Sequence, residues 1–379
     1  MERITLQPRL DWQDKVSNLG LVFHTTDGEP YWNESAFYRF SAAEIDVLEK
    51  ATNDLHEMCL AAVEHVVERN RLGELGIPEA AWPAFRHSWE HDDHSVYGRF
   101  DLAYDGMHAP KMLEYNADTP TALVEAAVAQ WFWLKDRFPM ADQFNSVWEA
   151  LIARWRSLRE QGRITADIIH FAHESLAEDI ATVTALQDTA QQAGFATSTL
   201  RVEEIGWDTS AHRFVGLNAE PIRALFKLYP WEWMLQESFA PYALEAYETL
   251  TWIEPLWKLA LSSKGILPIL WELNLGHPNL LECYSKGPHG MAHYAEKPLF
   301  SREGSNVTLR MPDGITQTDG IYGDQSRIYQ AIAPIAKFGG IHAVIGSWVI
   351  GNEACGIGIR ESDTPITDDR SRFVPHIFE

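Results

Sequence analysis

The sequence predicts an α+β fold in which a β-α-β subdomain is built into a larger body. Three observations support this prediction. Polar and apolar residues alternate around residues 97–117, apolar residues recur every three or four positions over 42–70, and residues 163–205 have the pattern of strand, helix and strand. Alternation is the period of a strand, and the three-to-four spacing is that of an amphipathic helix. No linker or internal repeat interrupts the chain. We therefore expect residues 1–379 to form one interlocked unit.

The first half of the chain predicts two helices that flank a hairpin. The helix over 42–70 follows residues 4–21, which are expected to form an irregular surface arm. The helix over 119–138 begins just after the hairpin, and Thr119 or Thr121 is expected to cap it. Its positive end would then face the polar residues of the hairpin and favour anions there.

The second half predicts the β-α-β unit, then helices and short strands. In residues 163–205 the helix is expected to end at Gly194, and the first turn lacks the GxGxxG pattern that a nicotinamide cofactor would require. Residues 222–260 are rich in tryptophan and acidic residues and look helical. From residue 265 onward we expect short strands, the first of them directly after Lys264.

Composition limits the partners and the compartment. The net charge of −23 and the pI of about 5.0 count against nucleic acid, because phosphate backbones bind to basic surfaces. The same acidity would attract a cationic small molecule, although many soluble proteins are acidic. Cys59, Cys283 and Cys355 lack CxxC spacing, which is typical of a reducing compartment. No apolar run reaches about 18 residues. We expect a cytoplasmic protein without a membrane partner.

The predicted hairpin gathers polar side chains that suit a metal bound with phosphates. Arg99 and Asp101 alternate on one strand, and Glu114 and Asn116 alternate on the other. Oxygen ligands without His or Cys suit magnesium. Arg99 beside them would neutralise charge on a metal-bound polyphosphate. The alternative is a buried ion pair between Arg99 and one carboxylate, with no ligand.

Two further stretches carry residues suited to phosphate. Lys297 precedes a proline at a predicted strand end, and the glycine of the following SREGSNV would let backbone N–H groups approach a phosphate. An ordinary glycine turn explains the same stretch. Near the C-terminus, Arg360 lies among glycines on the second strand of a hairpin that turns at Gly351 and Asn352. A structural ion pair is the alternative for this arginine.

Four blocks resemble the synthetase module of glutathionylspermidine synthase. They are GRFD, EYNADTPTAL, KPLFSREGSNV and GSWVIGNEACGIGIRESDTPIT followed by SRFVPHIF, and their order extends along nearly the whole chain. The resemblance implies an ATP-grasp fold, whose inserted β-α-β unit is pre-ATP-grasp-like. It also implies an ATP- and magnesium-dependent ligase that joins an acid to an amine through an acyl phosphate. Glutathione or a related peptide, and spermidine or another amine, are the substrates that it suggests.

The same resemblance leaves several expectations open. Bifunctional members carry an amidase domain, whereas this chain starts directly in the synthetase module, so we expect no amidase activity. A homodimer is common among such ligases. A non-catalytic nucleotide-binding regulator on the same fold, or a carboxylate kinase or ATPase without ligation, remains an alternative.

The resemblance also implies roles for individual residues. Asp101, Glu114 and Asn116 would hold two magnesium ions, and Arg99 and Arg360 would be catalytic. The implied ATP-binding residues are Arg99, Phe100, Asp101, Lys264, Lys297, Glu303, Gly304, Gln330, Ala331, Ile332, Ala333, Pro365, Ile366 and Thr367.

Overall fold

Helices and strands are interspersed along the whole chain in the computed structural model, which describes residues 1–379. The helices are α1 (Trp12–Asn18), α2 (Ala42–Glu68), α3 (Trp82–Glu90), α4 (Gln130–Arg137), α5 (Val147–Glu160), α6 (Ala177–Gln192), α7 (Trp231–Met234), α8 (Ala240–Glu245), α9 (Leu259–Ser262) and α10 (Ile266–Leu273). The strands are β1 (Glu2–Thr5), β2 (Thr25–Thr26), β3 (Glu29–Pro30), β4 (Ala36–Phe40), β5 (Tyr97–Ala103), β6 (Lys111–Asn116), β7 (Ile168–His173), β8 (Ala196–Arg201), β9 (Gly206–Asp208), β10 (Arg213–Val215), β11 (Ala224–Lys227), β12 (Thr251–Ile253), β13 (Cys283–Tyr284), β14 (Tyr294–Pro298), β15 (Thr308–Met311), β16 (Gly314–Gln317), β17 (Arg327–Ala331), β18 (Ala336–Phe338), β19 (Ile341–Ile350), β20 (Glu353–Ser362), β21 (Arg372–Val374) and β22 (His376–Phe378).

The central sheet has the order β21-β20-β19-β5-β6, with β18 also paired to β19. The predicted hairpin is confirmed, because β5 and β6 pair antiparallel with Arg99 opposite Asn116 and Asp101 opposite Glu114. Residues that lie opposite each other in an antiparallel pair point to the same face. The four polar side chains therefore share one face of the sheet. The C-terminal hairpin of β19 and β20 is confirmed as well.

The β-α-β unit is confirmed and belongs to a parallel sheet. Strands β7 and β8 pair in parallel on either side of α6, and the sheet has the order β12-β11-β7-β8. Gly194 follows α6 with a φ of +93°, a conformation that favours glycine. The helical prediction for 222–260 is only partly right, because β11 and β12 lie within this range. Both strands are largely buried and short, so their sequence has no clear alternation.

A five-stranded sheet has the order β13-β17-β14-β15-β16. It places Lys297 near the end of β14, and the SREGSNV stretch connects β14 to β15, as predicted. The prediction of a strand after Lys264 is wrong, because helix α10 begins at Ile266. A short apolar run does not distinguish a buried helix from a buried strand.

Two predictions for the first half of the chain are wrong. The arm is partly ordered, since β1 pairs with β4 and α1 follows it; an edge strand of four residues is too short to show a period. Neither Thr119 nor Thr121 caps a helix. A positive φ of 64° at Ala122 turns the chain after them, and a π-helical turn, Glu125–Ala129, leads into α4 without a side-chain cap.

Two buried ion pairs fix the central hairpin to the parallel sheet. At the end of β6, Asp118 accepts a hydrogen bond from Lys227 Nζ at 2.7 Å and another from the backbone N–H of Trp231 at 2.9 Å. At the start of β5, the Glu254 carboxylate accepts from the backbone N–H of Val96 at 2.9 Å and lies 3.0 Å from Lys258 Nζ. The start of β5 and the end of β6, the two strands that carry the polar cluster, are therefore both fixed by buried polar contacts with residues of, or next to, the parallel sheet.

The three cysteines are buried and unpaired. Cys59 lies in α2, and burial raises the pKa of its thiol, so it serves as a small apolar residue of the core. None of the helices has the length and apolar character needed to cross a bilayer.

Candidate active site

A cavity of about 560 Å³ lies between the three larger sheets. The central sheet contributes Arg99 and Glu114, the five-stranded sheet contributes Lys297, and Glu174 and Leu228 follow strands β7 and β11 of the parallel sheet. Ligands of open α/β sheets commonly bind just beyond the carboxyl ends of parallel strands. The cavity combines this position with the polar face of the predicted hairpin.

Nearly all the residues implied by the resemblance line this cavity. Phe100 is the exception among them, since its side chain is fully buried in the core and stacks on Tyr115 at 3.7 Å. Strand alternation turns Phe100 to the face opposite Arg99 and Asp101. The side chain of Phe100 is therefore not a wall of the cavity.

Asp101 joins the two arginines of the cavity. Its Oδ1 accepts a hydrogen bond from Arg99 Nε at 3.0 Å, and its Oδ2 accepts one from Arg360 Nη2 at 2.5 Å. Arg99 Nη1 also donates to the carbonyl of Thr121 at 2.7 Å. Burial raises the pKa of Asp101, but the guanidinium groups of Arg360 and Arg99 lower it by more. The carboxylate is therefore ionised and orients both arginines.

The two lysines of the cavity are also held by polar partners. Lys264 Nζ lies 3.0 Å from Glu114 Oε2 and donates to the carbonyl of Ser301 at 2.7 Å. Lys297 Nζ donates to Gln330 Oε1 at 2.7 Å. Burial raises the pKa of Glu114, but the ammonium groups of Lys264 and Lys297 together hold that pKa below its usual value. We name Arg99, Lys264, Lys297 and Arg360 the basic wall.

The oxygen atoms of Asp101, Glu114 and Asn116 fit magnesium that arrives with phosphates. The chain contains no cluster of three or more His, Cys, Asp or Glu side chains that could hold a metal ion. Two carboxylates and one amide are too few for a complete protein cage. Magnesium usually keeps several waters and completes its coordination with one or two carboxylates and substrate phosphates. The donor set therefore suits an ion shared with a nucleotide.

Gly346 provides the space that Arg99 occupies. It lies opposite Asp101 on β19, and a Cβ atom at Gly346 would come within 2.9 Å of Arg99 Cδ. We expect Gly346→Ala to cost about 1–3 kcal/mol of unfolding free energy and to lower ATP turnover, because overpacking displaces Arg99. Denaturant unfolding and ADP release would measure both. Gly323→Ala is the control, since a Cβ there meets nothing within 4 Å. Wild-type stability and turnover in Gly346→Ala would contradict this role.

The loop over residues 301–307 lies across one side of the cavity. Gly304 has a φ of +67°, and a Cβ atom on it would come within 2.5 Å of Ile366 and 2.6 Å of the Thr367 carbonyl oxygen. Gly304 is thus close to the 365–367 segment, and this segment lines the cavity together with Glu303 and Gly304. Arg302 Nη2 donates to Glu232 Oε1 at 2.9 Å and so connects the loop to α7. Arg302 lies in the SREGSNV stretch, but the sequence alone did not single it out.

An apolar pocket adjoins the basic wall in the five-stranded sheet. Its buried residues are Ala295, Val307, Leu309 and Ile366, with Ile332 packed against them. This surface suits the flat face of an adenine ring. The segment 330–333 lines the cavity nearby. The Gln330 side chain, however, is engaged by Lys297 and donates to the carbonyl of Met112 at 3.2 Å, so it faces the interior.

An acidic wall lines another part of the cavity. Its residues, which we name the acidic wall, are Glu174, Glu178, Asp179, Glu303 and Asp369. Burial and the neighbouring Glu178 and Glu174 raise the pKa of Asp179 to about 7. Burial and Glu178 likewise raise the pKa of Glu303. Such mutual repulsion favours a bound cation. The sequence signal for this wall is the run of acidic residues after β7. Glu174 directly follows that strand, and Glu178 and Asp179 lie in the first turn of α6.

Curated proteins similar to this chain carry the names of ligases. A Haemophilus influenzae protein named as a candidate acid–amine ligase is 38% identical, and the match covers 100% of both chains. Trypanothione synthetase of Crithidia fasciculata is 28% identical over 84% of this chain and 53% of its own length. The bifunctional glutathionylspermidine synthetase/amidase of Escherichia coli K12 is 26% identical over 97% of this chain and 63% of its own length. The chain thus spans only part of these two synthetases.

These relatives are named as ligases and synthetases, which is the class of enzyme that the sequence predicted. The family model described as glutathionylspermidine synthase preATP-grasp matches residues 3–379. The chain belongs to this family, which confirms the resemblance drawn from its sequence blocks. The ATP-grasp fold itself and the roles of single residues stay predictions.

Proposed function

We propose that this protein is an ATP- and magnesium-dependent acid–amine ligase that forms an amide through an acyl phosphate. The observation that supports it most is the cavity with two walls of opposite charge. One wall presents four cations beside magnesium-type donors, and the other presents carboxylates. A nucleotide and an activated acid need the first wall, and a cationic amine needs the second.

The basic wall suits the first chemical step. A substrate carboxylate oxygen attacks the γ-phosphorus of ATP, and ADP leaves with the bridging oxygen. Asp101, Glu114 and Asn116 would hold two magnesium ions, which neutralise charge on the phosphates. Arg99 and Arg360 are oriented by Asp101 before ligands bind, so they stabilise developing charge without rearranging.

The nucleotide would bind between the basic wall and the five-stranded sheet, as in an ATP-grasp fold. Lys264 and Lys297 would contact the phosphates. The base would lie on the apolar pocket beside the 330–333 segment. The loop carrying Glu303 and Gly304 and the 365–367 segment would close over it. Contact of Gly304 with this segment supports such a closed arrangement.

The acidic wall suits the amine of the second step. The amine nitrogen attacks the carbonyl carbon of the acyl phosphate, an amide C–N bond forms, and phosphate leaves. Glutathione or a related peptide acid and spermidine or another amine are the first substrates to test. The names of the synthetase relatives support this choice.

The test is magnesium-dependent ADP release across a panel of acids, with and without spermidine, together with the mass of the product. We expect ADP release that requires one acid and one amine, together with the corresponding amide. The control variants are Glu114→Gln in the cavity and Glu353→Gln at the exposed first residue of β20.

Each of the other possible results would indicate a different function. ATP binding with no stimulated turnover would indicate a nucleotide-binding regulator. ADP release without an amide would indicate a carboxylate kinase or an ATPase. Neither result agrees with the proposed ligase.

A further inference from the structure

A tyrosine at the cavity wall donates a hydrogen bond from its hydroxyl group to a buried carboxylate. Tyr31 lines the cavity, and its OH donates to Glu125 Oε1 at 2.7 Å. Glu125 is only 1% exposed and lies on the π-helical turn before α4. Turns of this kind often occur at functional sites. The two residues are 94 positions apart in the chain, so this contact depends on the fold.

Tyr31 lines the same cavity as the residues of both charged walls. The carboxylate of Glu178, which belongs to the acidic wall and lies on α6, raises the pKa of both Tyr31 and Glu125. Two arginines of the basic wall have the opposite effect. Arg99 on β5 lowers the pKa of Glu125, and Arg360 on β20 lowers the pKa of Tyr31. Under the proposed function the acyl phosphate lies at the arginines and the amine at the carboxylates. The Tyr31–Glu125 pair is therefore located where these two reactants meet.

We propose that Tyr31 passes a proton from the incoming amine to Glu125, and this proposal rests on the proposed function. An alkyl amine is an ammonium ion at neutral pH and has no free electron pair for attack. Tyr31 accepts a proton from the ammonium nitrogen through its oxygen and gives its own proton to Glu125 Oε1. Tyrosine stays neutral, the nitrogen becomes a neutral amine, and Glu125 becomes a carboxylic acid.

The neutral amine then attacks the acyl phosphate, and all bonds and protons of this step are accounted for. The amine electron pair forms the C–N bond, and the C–O bond to phosphate breaks with its electrons leaving on phosphate. The second N–H proton leaves with that phosphate. Glu125 later returns its proton to solvent. No oxidant or further reactant is needed.

The acidity of Glu125 agrees with this role. Burial and the neighbouring Glu178 raise its pKa to about 7, while the Tyr31 hydrogen bond and Arg99 oppose that rise. A base with a pKa near the working pH combines a useful ionised fraction with a real affinity for the proton. Asp179 is the rival base, since its pKa is also about 7. Its charged neighbours, however, are Glu178, Glu174, Glu303 and Arg302, not the arginines of the basic wall.

The test compares two nucleophiles with the acid identified by the panel. Spermidine must lose a proton before attack, whereas hydroxylamine is uncharged near neutral pH and attacks acyl phosphates directly. We expect Tyr31→Phe and Glu125→Gln to lower amide formation at least about a hundredfold. Hydroxamate formation should stay at the wild-type rate. The acidic limb of the wild-type amide profile, near pH 7 because of Glu125, should disappear in Glu125→Gln.

Three results would overturn the relay. They are equal loss of amide and hydroxamate in Tyr31→Phe, wild-type amide formation in both variants, or selective loss of amide in Asp179→Asn instead. If Glu125→Gln does not fold, Tyr31→Phe alone decides, because it removes only a hydroxyl group. Failure of the proposed function looks different, since wild-type protein would then form neither product with any acid.

Discussion

Arg99→Ala is expected to lower kcat about a hundredfold, or about 3 kcal/mol, while ATP binding weakens far less. Asp101 and the Thr121 carbonyl hold the Arg99 guanidinium in place, and its Cζ lies 5.8 Å from the Trp348 ring centroid. A cation fixed in this way stabilises charge that develops only in the transition state. Steady-state kinetics and equilibrium ATP binding would separate the two effects.

Two comparison variants sharpen this test. Arg99→Lys keeps a charge but loses the hydrogen bonds of a planar guanidinium, so we expect a rate between those of wild type and alanine. Arg213→Ala, whose side chain is 45% exposed, should behave as wild type. If Arg99→Ala loses ATP affinity and keeps kcat, Arg99 is a ground-state ligand, and its assigned role is wrong.

The polar cluster of the β5–β6 hairpin was predictable from the sequence because its geometry is local. Arg99, Asp101, Glu114 and Asn116 lie within 18 residues on two strands whose alternation and turn residues predict the hairpin. The wrong prediction of a strand after Lys264 did not affect its place in the site. Its side chain reaches Glu114 from the start of α10.

The acidic wall and the Tyr31–Glu125 pair were not predictable in this way. Glu178 and Asp179 lie on the first turn of α6, which looks like an ordinary solvated helix start. Only the crossover between β7 and β8 places that turn beside the central sheet. Tyr31 follows a segment with no regular period, and its partner Glu125 lies within a predicted helix. Alternation and helical spacing describe neighbours in sequence, whereas these contacts form between distant elements.

Glu114→Gln is expected to raise the magnesium concentration needed for half-maximal ADP release at least about tenfold and to lower kcat as well. The amide has a similar shape but no charge, so it holds the metal less strongly than a carboxylate does. Asn116→Asp adds a carboxylate two residues further along the same strand, β6, and should lower the magnesium requirement. Magnesium titrations of ADP release at saturating ATP would measure both variants.

The same variant decides between the two sequence interpretations of the hairpin cluster. Glu114 lies 3.0 Å from Lys264, whose side chain is only 6% exposed. If the carboxylate serves only this ion pair, Glu114→Gln lowers the free energy of unfolding and leaves the magnesium dependence unchanged. The double variant Glu114→Gln/Lys264→Met would then recover stability, because no unpaired charge remains buried. A changed magnesium requirement in a stably folded Glu114→Gln protein identifies Glu114 as a ligand of the metal.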